Sequence, residues 1–359
     1  MRFHLVLISE RGDEVASLKD VANLANVSPT TVSRVLNEDP SLVVPNETRQ
    51  RVLAAAEQIG YRVKTKHREI GRNSIQRVGI LAYKSEQYEL NDPYFLSIRQ
   101  GVEAQCKSLG YRENVVFQWS EERADYSKLD TVDGLVIIGD NLVAAERFEH
   151  WGRRAVFVDS NPNPRLFNSV MVDFERATRD AIDHLLAVGY RKIGHIGAVN
   201  RGKKVDPRDR AFRAYMASMD LLEDQNIHVA DDWTINDGYQ IAQQCLDQGD
   251  LPEAFFVASD PLAIGVIRRF IEAGVRVPED VGIVSFDDIE VSAFVTPPLT
   301  TIRVPTEAMG RTAVDLLVNG LGSHTLPLQV TVPTELVIRE SCGIKLVRTT
   351  GGVERWQKE

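Results

Sequence analysis

Residues 18–61, LKDVANLANVSPTTVSRVLNEDPSLVVPNETRQRVLAAAEQIGY, carry three helical signals in quick succession. Leu18, Val21, Ala22 and Ala25 recur at i, i+3, i+4 and i+7, the apolar face of a short helix. Ser17, with Asp20 three residues on, has the form of a capping box. Ser28 before Pro29 marks a second start, because proline at the first helical position gives up only an N–H that has no partner there. Val32, Val35 and Leu36 then face inward. A third helix follows Asn46, with Val52, Ala55, Ala56 and Ile59 on one face and Gly60 ending it. Two short helices joined by about three residues, with a third packed behind, predict a helix-turn-helix unit.

The outer face of the second helix carries Thr30, Ser33, Arg34 and Asn37 at the same spacing, a stripe of groups that hydrogen-bond base edges and phosphates. Taken alone, such a stripe also suits the solvated face of a small helical domain. The charge distribution bears on the choice. The whole chain carries −9, yet Ser17 to Arg77 hold ten basic and six acidic residues, net +4, which leaves −13 elsewhere. A basic head on an acidic body is expected when one end meets phosphate and the rest should not.

At 359 residues the chain exceeds the usual size of one hydrophobic core, so two or three domains are expected. Its 43% hydrophobic and 26% charged residues are those of a soluble globular protein. No apolar run approaches the roughly 18 residues of a membrane span. Phe3 to Ile8 is too short for a signal peptide, so a cytoplasmic location is expected. Cys106, Cys245 and Cys342 are widely spaced, show no metal-ligand pattern and are read as buried thiols.

Residues 62–76, RVKTKHREIGRNSIQ, are polar and basic and read as a linker. From Arg77 onward strand and helix patterns alternate, which predicts parallel sheet with crossover helices. Strands are expected at 78–82, 115–118, 134–138, 155–159, 192–196, 254–258 and 281–286. Helices are expected near 94–109, 174–188, 208–222, 238–248, 261–273 and 304–319. So many strands predict two doubly wound lobes. Ligands in open α/β sheets bind beyond the carboxyl ends of strands. There stand Asp159, Ser259, Asp260, Asp287 and Asp288, with Arg208 after the 197–207 loop. Carboxylates with an arginine suit a vicinal diol, and Trp233 offers an apolar platform for a pyranose ring. An aspartate at a strand end is also a common helix cap. Capping is the preferred reading for Asp260 before Pro261, ligand contact for Asp287, and both stand for Asp159.

The head resembles that of the lac repressor (LacI/GalR) family, whose recognition helix reads V-S-x-x-T-V-S-R-V-L-N, matched at Val27 to Asn37. The resemblance implies DNA contacts from Ser28, Pro29, Thr30, Thr31, Ser33, Arg34 and Asn37. It also implies that the linker folds on DNA and wedges Ile70 into the minor groove, although a β-branched wedge departs from the family's leucine. NDPYFLSIRQGVE (91–103), VASDPLAIG (257–265), VPEDVGIVSFDD (277–288) and PPLTTIRVP (297–305) look like family landmarks of the body. Carried over, the effector site comprises Tyr83, Tyr94, Phe95, Asp159, Arg208, Trp233, Ser259 and Asp287, with Ser259 standing where an asparagine is frequent.

The implied fold is an all-α helix-turn-helix head plus an α/β body, its two doubly wound parallel-sheet lobes of periplasmic-binding-protein type. The expected domains are a 1–16 extension, a 17–61 head, a 62–76 hinge, a 77–344 body and a 345–359 tail. Lobe 1 is expected at 77–173 and 303–333, lobe 2 at 174–302 and 334–344. Within the family, residues 83–103 and 297–305 look most like repressors of galactose and evolved β-galactosidase operons, which implies a galactoside effector. The expectation is a repressor that binds operator DNA as a homodimer and is released by a small sugar, with no cofactor, no metal and no membrane partner. Alternatives are a sugar-binding protein without DNA activity, or a regulator using a non-sugar effector or corepressor. An enzyme is disfavoured: no G-x-G-x-x-G turn follows Gly79, and no G-x-x-x-x-G-K-[ST] or G-x-S-x-G motif occurs.

Overall fold

The computed structural model describes residues 17–36, 44–59, 77–82, 92–111, 113–118, 129, 131–139, 142–199, 205–323 and 326–343. The chain forms two compact units, Met1–Gly71 and Arg72–Glu359.

The first unit holds α1 (Leu18–Ala25), α2 (Pro29–Leu36) and α3 (Asn46–Gln58). Ser17 and Asp20 close the capping box of α1 from both sides, and Asn26 ends that helix at φ 52°. The Ser28 hydroxyl accepts the Thr31 N–H at 3.1 Å and so starts α2. Val21, Ala22, Ala25, Val32, Val35, Val52, Ala55 and Ala56 form one buried cluster, with Leu36 and Ile59 packed at its edge. The inward faces read from spacing are therefore the core. Gly60 lies outside the described residues.

The second unit contains two six-stranded sheets. In lobe 1, β1 (Arg77–Ala82), β2 (Glu113–Gln118), β3 (Gly134–Ile138), β4 (Ala155–Val158) and β5 (Asn168–Val172) accompany α4 (Pro93–Ser108). Lobe 2 runs through α5 (Phe174–Val188), β6 (Ile193–Ala198), α6 (Pro207–Ser218), β7 (Ile227–Ala230), α7 (Ile235–Gln248), β8 (Ala254–Val257), α8 (Asp260–Glu272), β9 (Gly282–Asp287) and β10 (Thr300–Arg303). The chain returns to lobe 1 for α9 (Thr306–Ser323) and β11 (Gln329–Val332), then to lobe 2 for β12 (Glu335–Val337). The sheet orders are β11-β5-β4-β3-β1-β2 and β12-β10-β9-β8-β6-β7. All pairings are parallel except β10 with β12. Three segments thus connect the lobes: 172–174, 303–306 and 332–335.

Strands β3, β6, β8 and β9 are buried along their whole length, as parallel strands covered on both faces must be. One apolar cluster runs through the lobe contact, joining Val78, Ile98 and Val136 to Phe256, Phe286 and Ile302. Each lobe also holds one helix pair at close approach. A Cβ on Gly310 would lie 2.1 Å from the Ile98 carbonyl oxygen, and one on Gly265 would lie 2.0 Å from that of Ile235. Strands β5, β7, β10 and β11 escaped the sequence reading. Each has only four or five residues, and β7 and β11 are sheet edges with exposed positions, so no apolar run announces them.

Candidate functional site

In the head, Ser28, Pro29 and Thr30 are exposed at the start of α2, while Thr31, Ser33 and Arg34 are half-buried. Pro29 occupies the first helical position and Thr30 the second. Ser28 and Thr31 share a hydroxyl–hydroxyl bond of 2.9 Å besides the backbone cap, so these two side chains hold the helix start together. That leaves Pro29 and Thr30 as the outermost groups at the N-terminal end, with Ser33 and Arg34 one turn on along the face. Asn37 and Ile70 lie outside the described residues.

The body's polar cluster is drawn from both lobes. In lobe 1, Asp92 caps α4 by accepting the Tyr94 N–H, and Tyr94 reaches across to donate its hydroxyl to Asp159 at 2.9 Å. Burial, then the charges of Asp159 and Asp287, push the Tyr94 phenol well above its usual range. It is therefore a neutral donor at any physiological pH. In lobe 2, Asp206 caps α6 through the Arg208 N–H. The same carboxylate takes the Arg208 guanidinium side-on, at 2.8 Å from Nε and 3.0 Å from Nη2. Nη1 donates to the Ala258 carbonyl at 2.7 Å. One N–H on each of Nη1 and Nη2 is left over for a ligand.

Three rings cage that guanidinium. Its carbon lies 4.7 Å from the Trp233 centroid, 5.2 Å from Phe286 and 5.3 Å from Phe174. Burial works against the Arg208 charge, and Asp206, Asp287 and Asp159 more than offset it. Asp287 is the counterpart. Burial first, then Asp260 and Asp92, push its carboxyl well above the usual range, against the pull of Arg208. Tyr94 and Arg208 each feel both Asp159 and Asp287, so carboxylates from the two lobes serve one small volume. A cleft of about 1070 Å³ opens beside them, lined by Tyr94, Ser97, Asn236, Asp287 and the connecting residues Val304 and Thr306.

Of the expected effector residues, Tyr94, Asp159, Arg208 and Asp287 meet in this cluster, with Phe95 edge-to-face on Tyr94 at 5.1 Å. Trp233 has the Arg208 guanidinium against its ring, in addition to any platform it offers a sugar. Ser259 is buried and its hydroxyl caps α8 by accepting the Leu262 N–H. Tyr83 lies outside the described residues.

The preferred reading of Asp260 as a helix cap is corrected. Ser259 is the cap, and the Asp260 carboxylate, fully buried one residue later, accepts from Ser285, Ser292 and Thr301 hydroxyls and the Ile289 N–H. Sequence reasoning also missed Asp206. The signal was present, an Asp-Pro pair at a helix start like Asp92-Pro93, but nothing local tells that the cap also holds an arginine.

Among the described residues no His, Cys, Asp and Glu cluster is arranged to hold a metal, and no helix is long and apolar enough to cross a membrane. A helix-turn-helix head with a two-lobed body whose cleft gathers hydrogen-bonding groups defines a class, the ligand-responsive DNA-binding regulators.

The family follows from comparison. Residues 17–63 match the bacterial regulatory proteins of the lacI family, and residues 182–342 match a periplasmic binding protein-like domain. The chain is 41% identical over 346 residues to the HTH-type transcriptional repressor MelR of Bacillus subtilis (strain 168), covering 91% of this chain and 97% of that protein. Among solved structures it resembles a transcriptional regulator CelR–cellobiose complex, with a TM-score of 0.66, 26% identity and coverage of 91% and 99%. It also resembles the lac repressor dimer bound to operator and the anti-inducer ONPF, with a TM-score of 0.65, 27% identity and coverage of 92% and 100%. The chain belongs to the lacI family of bacterial regulatory proteins. It is a transcriptional repressor of the LacI/GalR type and not an enzyme.

Proposed function

We propose that this repressor binds its operator as a homodimer in the cytoplasm and is released by a galactoside or galactose held between the lobes. The observation that carries the ligand reading is the Tyr94–Asp159 pair of lobe 1 set against Arg208 and Asp287 of lobe 2. Sugar hydroxyls donate to the two carboxylates and accept from the remaining Arg208 N–H groups. A ligand that touches both lobes favours one lobe angle over another, and the release energy is its differential affinity for the two. The cellobiose-bound relative supports a sugar of this general kind. In the head, Pro29, Thr30, Ser33, Arg34 and Asn37 face the operator, and residues 62–76 with Ile70 form the hinge. One head reads only a few base pairs, so two on a pseudo-palindrome are needed.

Titration of tryptophan emission with galactose, lactose, allolactose and glucose tests the site, because Trp233 packs on Arg208. A saturable change with a galactoside and none with glucose is expected. Equal responses to all four, or none to any, would remove the galactoside.

A further inference from the structure

Residues 286–288, at the end of β9, touch two of the three segments that connect the lobes and reach the third through Arg303. Phe286 stacks on Phe174 with ring centroids 5.8 Å apart, and Phe174 opens α5 directly after the first connection. The Asp287 carbonyl accepts the Val304 N–H, inside the second connection, at 3.3 Å. Asp288 completes the set. One carboxylate oxygen accepts Arg303 Nε at 2.7 Å and the other accepts Arg339 Nη2 at 2.6 Å. Arg303 is the last residue of β10 before the second connection. It also donates to Glu335, the first residue of β12 after the third, at 2.9 Å.

Arg339 ties the returning chain down as well, donating to the Leu299 carbonyl at 2.7 Å. The Asp288 side chain is only 7% exposed, so its two ion pairs are largely shielded from water. Backbone geometry makes the joint stiff. Asp287 and Asp288 sit at φ 116° and 57°, conformations that non-glycine residues keep only where their surroundings over-determine them. Underneath, Asp260 holds Thr301 of β10 and the Ile289 and Ser292 side of the turn on one carboxylate.

We infer that the Phe286–Asp287–Asp288 turn is the joint that converts occupancy of the cleft into movement of the lobe connections, with Asp288 as its positioning residue. Asp287 faces the cleft, and its neighbours on either side grip the connections. A ligand that draws on Asp287 therefore pulls on the hinge through three consecutive residues. Asp288 lines the cleft beside Asp287, but both of its carboxylate oxygens are taken by arginines; its role is to make Arg303, at the second connection, and Arg339, beyond β12, follow the turn. The inference rests on the proposed sugar-released repression, and goes beyond it by naming the coupling element.

The test compares the full-length native protein with Asp288→Asn and Arg303→Gln. Operator affinity is measured with and without saturating galactose or lactose, and sugar affinity is measured separately. Both variants are expected to keep operator and sugar affinities within about threefold of native, while the ratio of operator affinities without and with sugar falls about tenfold or more. A lower melting temperature with an unchanged ratio in both variants would mean that the ion pairs are only structural, and overturns the joint. Arg303→Gln decides the matter should Asp288→Asn fail to fold, since Arg303 is half exposed and its loss leaves the Arg339 pair.

A native protein that no galactoside releases contradicts the proposed effector and not the joint. Amide exchange at Val304 then decides without any sugar. About tenfold faster exchange in Asp288→Asn is expected, because the Asp287 carbonyl loses its fixed position. Equal rates overturn the inference.

Discussion

Asp159 at the end of β4 and Asp287 at the end of β9 stand third from the edge in the two sheets, each in a left-handed backbone conformation, with φ of 67° and 116°. Their supports differ. Asp159 takes the Tyr94 hydroxyl of its own lobe and stands beside a turn in which Ser160 donates to the Gly139 carbonyl at 2.8 Å. Asp287 sits on a turn braced by Asp260 below and by Asp288 against the lobe connections. A carboxylate with local supports can bind a hydroxyl without telling the rest of the molecule. One whose supports are the connections cannot. On the proposed function, lobe 1 is the side expected to receive a ligand and lobe 2 the side expected to report it.

The largest expected break comes at Asp260. Asp260→Ala strands four donors in a buried site and is expected to cost about 3 kcal/mol or more. Ser160→Ala, the nearest equivalent in lobe 1, removes one hydrogen bond and is expected to cost about 1 kcal/mol. Urea denaturation of both variants checks the contrast, and similar losses would mean that the two strand ends are braced alike.

Asp260 also predicts a pH dependence of unusual sense. Burial pushes its carboxyl from an ordinary 3.8 up to about 6, with its four hydrogen bonds pulling the other way. The folded state therefore binds this proton more tightly than the unfolded chain. Its contribution to stability is fully present below about pH 4 and is lost as pH rises through about 6, a span of about 3 kcal/mol. Unfolding free energies of native protein and Asp260→Asn, measured from pH 4 to 7, are expected to differ by an amount that varies with pH in this sense. A constant difference contradicts it.

Next come the cleft carboxylates themselves. Asp287→Ala and Asp159→Asn are each expected to weaken sugar binding by about tenfold to a hundredfold, through a lost hydrogen bond to a charged group. They part company in their effect on the operator. Saturating sugar is expected to release Asp159→Asn from DNA nearly as it releases native protein, and to leave Asp287→Ala bound. Tyr94→Phe is the smallest change. It removes one donor from Asp159 and is expected to weaken sugar binding about fivefold, with release at saturation intact. Loss of release in Tyr94→Phe would erase the distinction between receiving and reporting lobes.

The head was legible almost in full. Its helices are short enough for one apolar face to show at i, i+3, i+4 spacing, and Ser17, Asp20, Ser28 and Pro29 mark their starts with local hydrogen bonds. Central strands of the body were legible because burial on both faces leaves continuous apolar runs, while the short edges β7 and β11 left none. Strand ends pointed to Asp159 and Asp287, with Arg208 after a strand-end loop, and family resemblance added Tyr94. What stayed hidden was which aspartate does what. Ser259, Asp260, Asp287 and Asp288 all stand at strand ends, and local pattern cannot tell a cap from a buried hub, a cleft acceptor or a hinge clamp. Those roles are fixed by Thr301, Arg303 and Arg339, 13 to 51 residues away in the chain.

The measurement that bears most directly on the account is operator binding by native protein and Asp287→Ala across a titration of galactose, lactose and glucose. The prediction is release of the native protein by a galactoside and retention of Asp287→Ala on DNA at sugar concentrations that saturate its site. Release of Asp287→Ala at the native sugar concentration, or a native protein that no sugar releases, would contradict it.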